Sequence, residues 1–164
     1  MDAELTNLAR LLAEKLQKTG LRLATAESCT GGWISQVLTA ISGSSVWFEG
    51  GIVSYSNGMK CNLLGVSPET ISTQGAVSQE VVEEMAQGVA SRLRVPLSVS
   101  VSGIAGPGGG TEDKPVGTVW IGWCFDSRVS SGAYRFEGNR EQVRRQTVAV
   151  ALEGLIQRLE SLER

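Results

Sequence analysis

The sequence predicts an α/β protein: a three-layer α/β/α sandwich around a mixed, mostly parallel sheet with a late antiparallel hairpin. Two observations lead there. Short β-capable runs alternate with segments of helical period along most of the chain, the pattern of a sheet with helices on both faces. Two β-capable runs then follow each other directly. Gly117 to Phe125 and Val129 to Phe136 flank Asp126-Ser127-Arg128 and read as an antiparallel pair. That hairpin makes the sheet mixed rather than purely parallel.

Each element has its own signal. Residues 2–19 carry Leu5, Leu8, Leu11, Leu12 and Leu16 at helical spacing, and Gly20 stops the run. Leu21 to Ala26 is short and β-capable, and Glu27 to Gly32 is a turn of small residues. A helix is expected from Trp33 to about Ala40, then a loop at Ser42-Gly43-Ser44-Ser45. Gly51 to Ser56 reads as the second strand, and a short helix holds Met59, Lys60, Leu63 and Leu64. Ser67-Pro68 is a helix start, with serine as cap and proline in the first turn. From Ser78, Val81, Val82, Met85, Val89 and Leu93 line one helical face. Leu97 to Ser102 is a strand, and Gly103 to Pro115 a Gly/Pro-rich loop. Asn139 caps the last helix, with Gln142 three residues on. Val143, Thr147, Val150, Leu155, Leu159 and Leu162 form its inner stripe. The expected order is α-β-α-β-α-α-β-β-β-α, in one domain over residues 1–164.

Composition removes several classes of function. Of 164 residues, 41% are apolar and 20% charged, the balance of a soluble globular chain with a sizeable core. No run approaches a membrane span. The first residues include Asp2 and Glu4 and lack the order of a signal peptide, so the protein is read as cytoplasmic with no membrane partner. A net charge of −2 and a pI near 5.3 argue against nucleic acid as a partner. Three cysteines without a CxxC pair suggest neither a disulfide framework nor a zinc site. The chain has no histidine, which excludes Ser–His–Asp and Cys–His arrangements and HExxH metal sites. Any general base is Lys, Glu, Asp, Tyr or a terminal amine. No metal or other cofactor is expected.

In sheets of this kind, sites form where loops leave the carboxyl ends of strands. The loops after Ala26, Ser56 and Ser102 are therefore the places to look. The first, Ala26-Glu27-Ser28-Cys29-Thr30-Gly31-Gly32, joins a strand to a helix, and small residues there let backbone amides face an oxyanion. Spacing alone favours a simpler reading, a Ser/Thr cap followed by tightly packed glycines. Cys29 is a rival nucleophile, ranked below Ser28 because no histidine is present to pair with it. The second segment, Tyr55-Ser56-Asn57-Gly58-Met59-Lys60, brings Tyr55 and Lys60 to the neighbouring strand. A lysine serves as base only when neutral, which requires burial or a nearby positive charge. The third, Ser102-Gly103-Ile104-Ala105-Gly106-Pro107-Gly108-Gly109-Gly110-Thr111, matches neither a dinucleotide fingerprint nor a P-loop. It reads either as backbone approaching a ligand or as a flexible connection. In the fourth, Arg140, Arg144 and Arg145 stand at a helix N-terminus, a setting that suits a phosphate. Arg140 and Arg144 share a face, Arg145 is turned from it, and not all three can reach one small ligand.

Taken together, AESCTGG, GGIVSYSNGMK, AVSQEVV, SVSGIAGPGGGTEDKPVGTVWIGW and EGNREQVRRQ resemble the CinA C-terminal family in order and spacing, from about Leu23 to Leu155. In length the chain is close to the family's stand-alone members. The resemblance implies hydrolysis of nicotinamide mononucleotide to nicotinate mononucleotide and ammonia, in pyridine nucleotide salvage. It implies Ser28 as nucleophile, Lys60 as base, and Tyr55 relaying a proton or orienting the lysine. Amides around Thr30, Gly31 and Gly32 would hold the oxyanion. Ser102 and the segment Gly103, Ile104, Ala105, Gly106 would shape the ligand loop. Arg145, with Arg144 and Arg140, would face the phosphate. Trp47 and Phe48 are expected to be exposed and to line the nicotinamide pocket in preference to a subunit contact. The partner implied is a small-molecule nucleotide substrate, with a homo-oligomer left open. Three alternatives stand beside this reading: a non-catalytic nucleotide-binding or regulatory domain, an amidase for another small carboxamide, and a DNA-uptake partner.

Overall fold

The computed structural model describes residues 2–163. The chain runs α1 (Ala3–Thr19), β1 (Leu23–Glu27), α2 (Trp33–Thr39), a 3-10 turn (Ser44–Val46) and β2 (Phe48–Val53). Then come α3 (Asn57–Leu64), α4 (Pro68–Gln74), α5 (Gln79–Leu93), β3 (Leu97–Gly103), β4 (Thr118–Phe125), β5 (Arg128–Arg135) and α6 (Arg140–Leu162). The five strands form one sheet in the order β2-β1-β3-β4-β5. β1 runs parallel to both its neighbours, and β4 antiparallel to both of its own. The sheet is therefore mixed, and β4 alone opposes the other four strands. α1, α2 and α6 cover one face, and α3, α4 and α5 the other.

Local chemistry sets the boundaries. Asp2 caps α1 through the Leu5 amide, and Gly20 closes it in a left-handed conformation. Ser56 and Ser78 cap α3 and α5 through the amides of Met59 and Val81. Asn139 and Gln142 form a reciprocal capping box at the start of α6. The β4–β5 hairpin turns on two residues, Asp126 and Ser127, both at positive φ, and Arg128 already belongs to β5.

β3 shows how the two faces differ. Leu97, Val99 and Val101 enter the larger core under α1 and α6. The alternating residues Ser98, Ser100 and Ser102 donate to the carbonyls of Ala86, Val82 and Ala76 on the opposite side. These short side chains, with Ala24, Ala26 and Gly122, let α5 lie close on the sheet. A Cβ at Gly122 would stand 2.6 Å from the Val82 carbonyl oxygen.

Four expectations differ from the structure. The second strand is Phe48–Val53, not Gly51–Ser56. Its Gly50-Gly51 pair sits inside the strand because a Cβ at Gly51 would meet the hydroxyls of Thr25 and Ser35 at 2.3 and 2.4 Å. Three helices rather than two separate β2 from β3, since Pro68–Gln74 is a helix of its own. Trp47 is not exposed but buried in the larger core, and Phe48 packs against that core. Both stand at the amino end of β2, which removes them from the loops at its carboxyl end. Finally, α6 is buried on more than one stripe, because it is covered by α1 as well as the sheet; Leu162 is exposed and Ala149, Ala151 and Leu152 are buried.

Candidate active site

The loops leaving β1, β2 and β3 meet at a cavity of about 290 Å³. Ser28, Lys60, Tyr55, Asn57, the Gly103–Gly109 stretch and Arg140 line it. The position follows from topology, since β1 lies between β2 and β3 and all three point their carboxyl ends the same way.

Lys60 sits in the first turn of α3, one strand away from Ser28. Its Nζ lies 3.0 Å from Ser28 Oγ and 3.0 Å from the Tyr55 carbonyl oxygen. Only 2% of Lys60 is exposed, and burial holds its pKa below the usual lysine value. Among the described residues no aspartate or glutamate lines the cavity to offset that effect. A neutral lysine has two N–H donors and one lone pair. With one N–H held by the Tyr55 carbonyl, the lone pair can face Ser28. The Ser28 hydroxyl is itself 3.4 Å from the same carbonyl.

Tyr55 therefore reaches the pair through its backbone. Its phenol is elsewhere, 62% exposed at the cavity mouth and 3.4 Å from an Arg140 nitrogen. A relay through the phenol between serine and lysine does not match this geometry; orientation of the lysine by the Tyr55 carbonyl does. Cys29 belongs to the larger core, where burial pushes its thiol up to about 12. A thiol so seldom ionised at neutral pH is a poor rival to Ser28.

Glu27 is a residue the sequence reading passed over. It ends β1, fully buried, and its carboxylate accepts four hydrogen bonds. Thr30 Oγ1 and the Ile34 amide donate to one oxygen at 2.6 and 2.8 Å; the Ser35 amide and hydroxyl donate to the other at 3.0 and 2.8 Å. The charge sits at the N-terminus of α2, where the helix dipole and two otherwise orphaned amides receive it. Glu27 thus locks the turn that carries Ser28 onto the helix behind it. An acid closing a buried strand just before a helix start was the available signal.

A family model described as the CinA C-terminal domain matches residues 5–159. The chain belongs to the CinA C-terminal domain family. Among curated relatives of this CinA-family chain is a nicotinamide-nucleotide amidohydrolase PncC from Pseudomonas putida, 51% identical over 93% of this chain and 96% of its own length. A protein of the same name from Escherichia coli K12 is 49% identical over 95% of each. Among solved structures, the competence/damage inducible protein CihA from Agrobacterium tumefaciens superposes with a TM-score of 0.93, at 41% identity and 98% coverage of both chains.

The CinA-family segments named from sequence do not all converge. Gly103, Ile104, Ala105, Gly106 and Arg140 line the cavity. Ser102 lines it too, but its hydroxyl donates to the Ala76 carbonyl and steadies the opposite wall. Arg140 crosses the mouth, one nitrogen 2.8 Å from the Gly106 carbonyl oxygen. The amides of Gly106, Gly108 and Gly109 have no protein acceptor among the described residues, so the loop offers donors to an anion.

Arg145 does not face the cavity. It pairs with Asp2 and Glu4 across from α1, which drives the Asp2 carboxyl down to about 2. Its one-residue offset from Arg144 accounts for this, since it turns the side chain by about 100° around α6. Arg144 also lies outside the cavity lining and points to the Ser28 turn instead. Of the amides expected to hold an oxyanion, that of Gly31 is already engaged with the Ser28 carbonyl, 3.0 Å away. Phe48 lies at the far end of β2 and is not part of the cavity lining, whose aromatic residue is Tyr55.

Proposed function

We propose that this protein hydrolyses the carboxamide of nicotinamide mononucleotide to nicotinate mononucleotide and ammonia, with Ser28 as nucleophile and Lys60 as base. The observation that carries the reading is the buried Lys60 Nζ 3.0 Å from Ser28 Oγ, with no carboxylate among the described residues of the cavity to hold the lysine charged. The names of the Pseudomonas putida and Escherichia coli relatives support the reaction.

Lys60 takes the Ser28 hydroxyl proton as Oγ bonds to the carboxamide carbon. Backbone amides after Ser28 receive the negative oxygen. As the C–N bond breaks, the Lys60 ammonium returns that proton to the leaving nitrogen, and ammonia departs. Water then attacks the ester with Lys60 again as base, which frees the acid and restores the serine. The cationic pyridinium of the substrate helps keep Lys60 neutral by like-charge repulsion. Arg140 and the amides of Gly106, Gly108 and Gly109 form the side of the cavity suited to the phosphate.

The same features oppose a pure binding domain, which has no need of a desolvated lysine against a serine. The lone thiols Cys29, Cys61 and Cys124 and the lack, among the described residues, of a helix able to cross a membrane fit a reducing, cytoplasmic setting. Ammonia release from nicotinamide mononucleotide should exceed that from free nicotinamide by about 10²-fold or more in kcat/KM, the worth of a charged, hydrogen-bonded phosphate contact at about 1.4 kcal/mol per tenfold. Equal rates on the two would instead support an amidase of small carboxamides that ignores the phosphate.

A further inference from the structure

Arg144 makes contacts that the hydrolase reading leaves unexplained. Its Nε donates to the Cys29 carbonyl at 2.9 Å and its Nη2 to the Thr30 carbonyl at 3.0 Å. Its guanidinium lies 5.5 Å from the centre of the Trp33 ring, which limits its movement. Gly31, at φ +61°, passes beneath it; a Cβ there would stand 3.4 Å from Nη2. One side chain from the last helix thus grips the Cys29–Thr30 and Thr30–Gly31 peptide units, just past the nucleophile.

The amide side of those peptides is the other half of the observation. The Gly31 N–H donates to the Ser28 carbonyl, while the N–H of Thr30 has no protein acceptor among the described residues. Thr30 is fully buried. A buried amide without a protein acceptor is rare and calls for another partner, a water or a ligand oxygen. In a trans peptide the N–H points opposite to the C=O. A Cys29 carbonyl drawn to Arg144 therefore turns the Thr30 N–H to the side away from Arg144.

We propose that Arg144 is a positioning residue: by holding the Cys29 carbonyl, with the Thr30 carbonyl fixed beside it, it aims the Thr30 amide at the developing oxyanion. The proposal rests on Ser28 being the nucleophile. Arg144 touches no substrate in this account. It differs from Arg140, which lines the cavity, and from Arg145, which pairs with Asp2 and Glu4. A lysine at 144 would keep the charge but, as a point donor, cannot fork across two carbonyls.

Steady-state ammonia release from nicotinamide mononucleotide tests this with wild type, Arg144→Lys, Arg144→Ala and Ser28→Ala. Both Arg144 variants should lose about 10²-fold in kcat, as when an oxyanion donor is removed, with KM changed by less than about 3-fold. Added guanidinium chloride should restore part of the kcat of Arg144→Ala and none of that of Ser28→Ala. Thermal melts identify the folded variants, and Arg144→Lys retains the stem and charge if the alanine variant fails to fold. A raised KM with kcat intact would make Arg144 a substrate ligand and overturn the proposal. So would wild-type kcat in Arg144→Lys, or a loss that guanidinium leaves unmoved in a folded alanine variant. If Ser28→Ala turns over like wild type, Ser28 is not the nucleophile and this proposal falls with that role; if Ser28→Ala is inactive while the Arg144 variants keep kcat, only this one falls.

Discussion

Ser28→Ala should lower kcat for ammonia release from nicotinamide mononucleotide by roughly 10⁴–10⁶-fold, the range seen when a serine nucleophile is deleted from a working catalytic unit. The fold should survive. The Ser28 hydroxyl is held by Lys60 and, more loosely, by the Tyr55 carbonyl, and Lys60 keeps the Tyr55 carbonyl when the hydroxyl is gone. The measurement is steady-state turnover beside a thermal melt. Retained turnover would shift attention to an activated water, because the neighbouring Cys29 thiol is raised to about 12 by burial and is seldom ionised.

The second large effect concerns Lys60. Lys60→Met should cost about 10²–10⁴-fold in kcat, the usual worth of a general base. It should also melt no lower than wild type at mildly acidic pH. Burial lowers the Lys60 pKa in the folded state, so between that value and 10.5 the unfolded chain binds more protons than the folded one. Stability contributed at this site thus rises with pH across that window, and below it the folded protein carries the full cost of a buried ammonium. Methionine removes that cost, so the variant's advantage should shrink as pH rises. For the same reason wild-type kcat/KM should climb with pH as Lys60 loses its proton, with an apparent pKa below 10.5. A variant destabilised most at low pH, or a wild-type rate flat across the alkaline side, would mean that Lys60 is charged in the working enzyme.

Much of the fold was legible because its signals are local. Ser78, Asn139 and Gln142 announce helix starts within four residues, and the run from Leu97 to Ser102 alternates visibly. Gly50-Gly51 misled because a glycine pair reads as a break unless one knows that Thr25 and Ser35 crowd it from a neighbouring strand and helix. The site was legible differently. Ser28 and Lys60 are 32 residues apart, and no periodicity pairs a lone lysine with a distant serine. The family resemblance supplied that pair. It did not sort the arginines, whose roles depend on where α6 lies: Arg140 over the cavity, Arg144 on the Ser28 turn, Arg145 against α1. Nor did it show Glu27, whose four donors come from residues 30 to 35 only after α2 is folded. Phe48 failed for a plainer reason. Aromatic character says nothing about which end of a strand a residue occupies, and Phe48 begins β2 rather than ending it.

The central claim is a serine ester formed on Ser28 and resolved by water, and hydroxylamine tests it most directly. An acyl-enzyme divides between water and an added nucleophile. With nicotinamide mononucleotide as substrate, rising hydroxylamine should yield the hydroxamate of nicotinate mononucleotide at the expense of the acid. None should form with Ser28→Ala. Turnover that yields only the acid at every hydroxylamine concentration would contradict the account and point to direct attack by water.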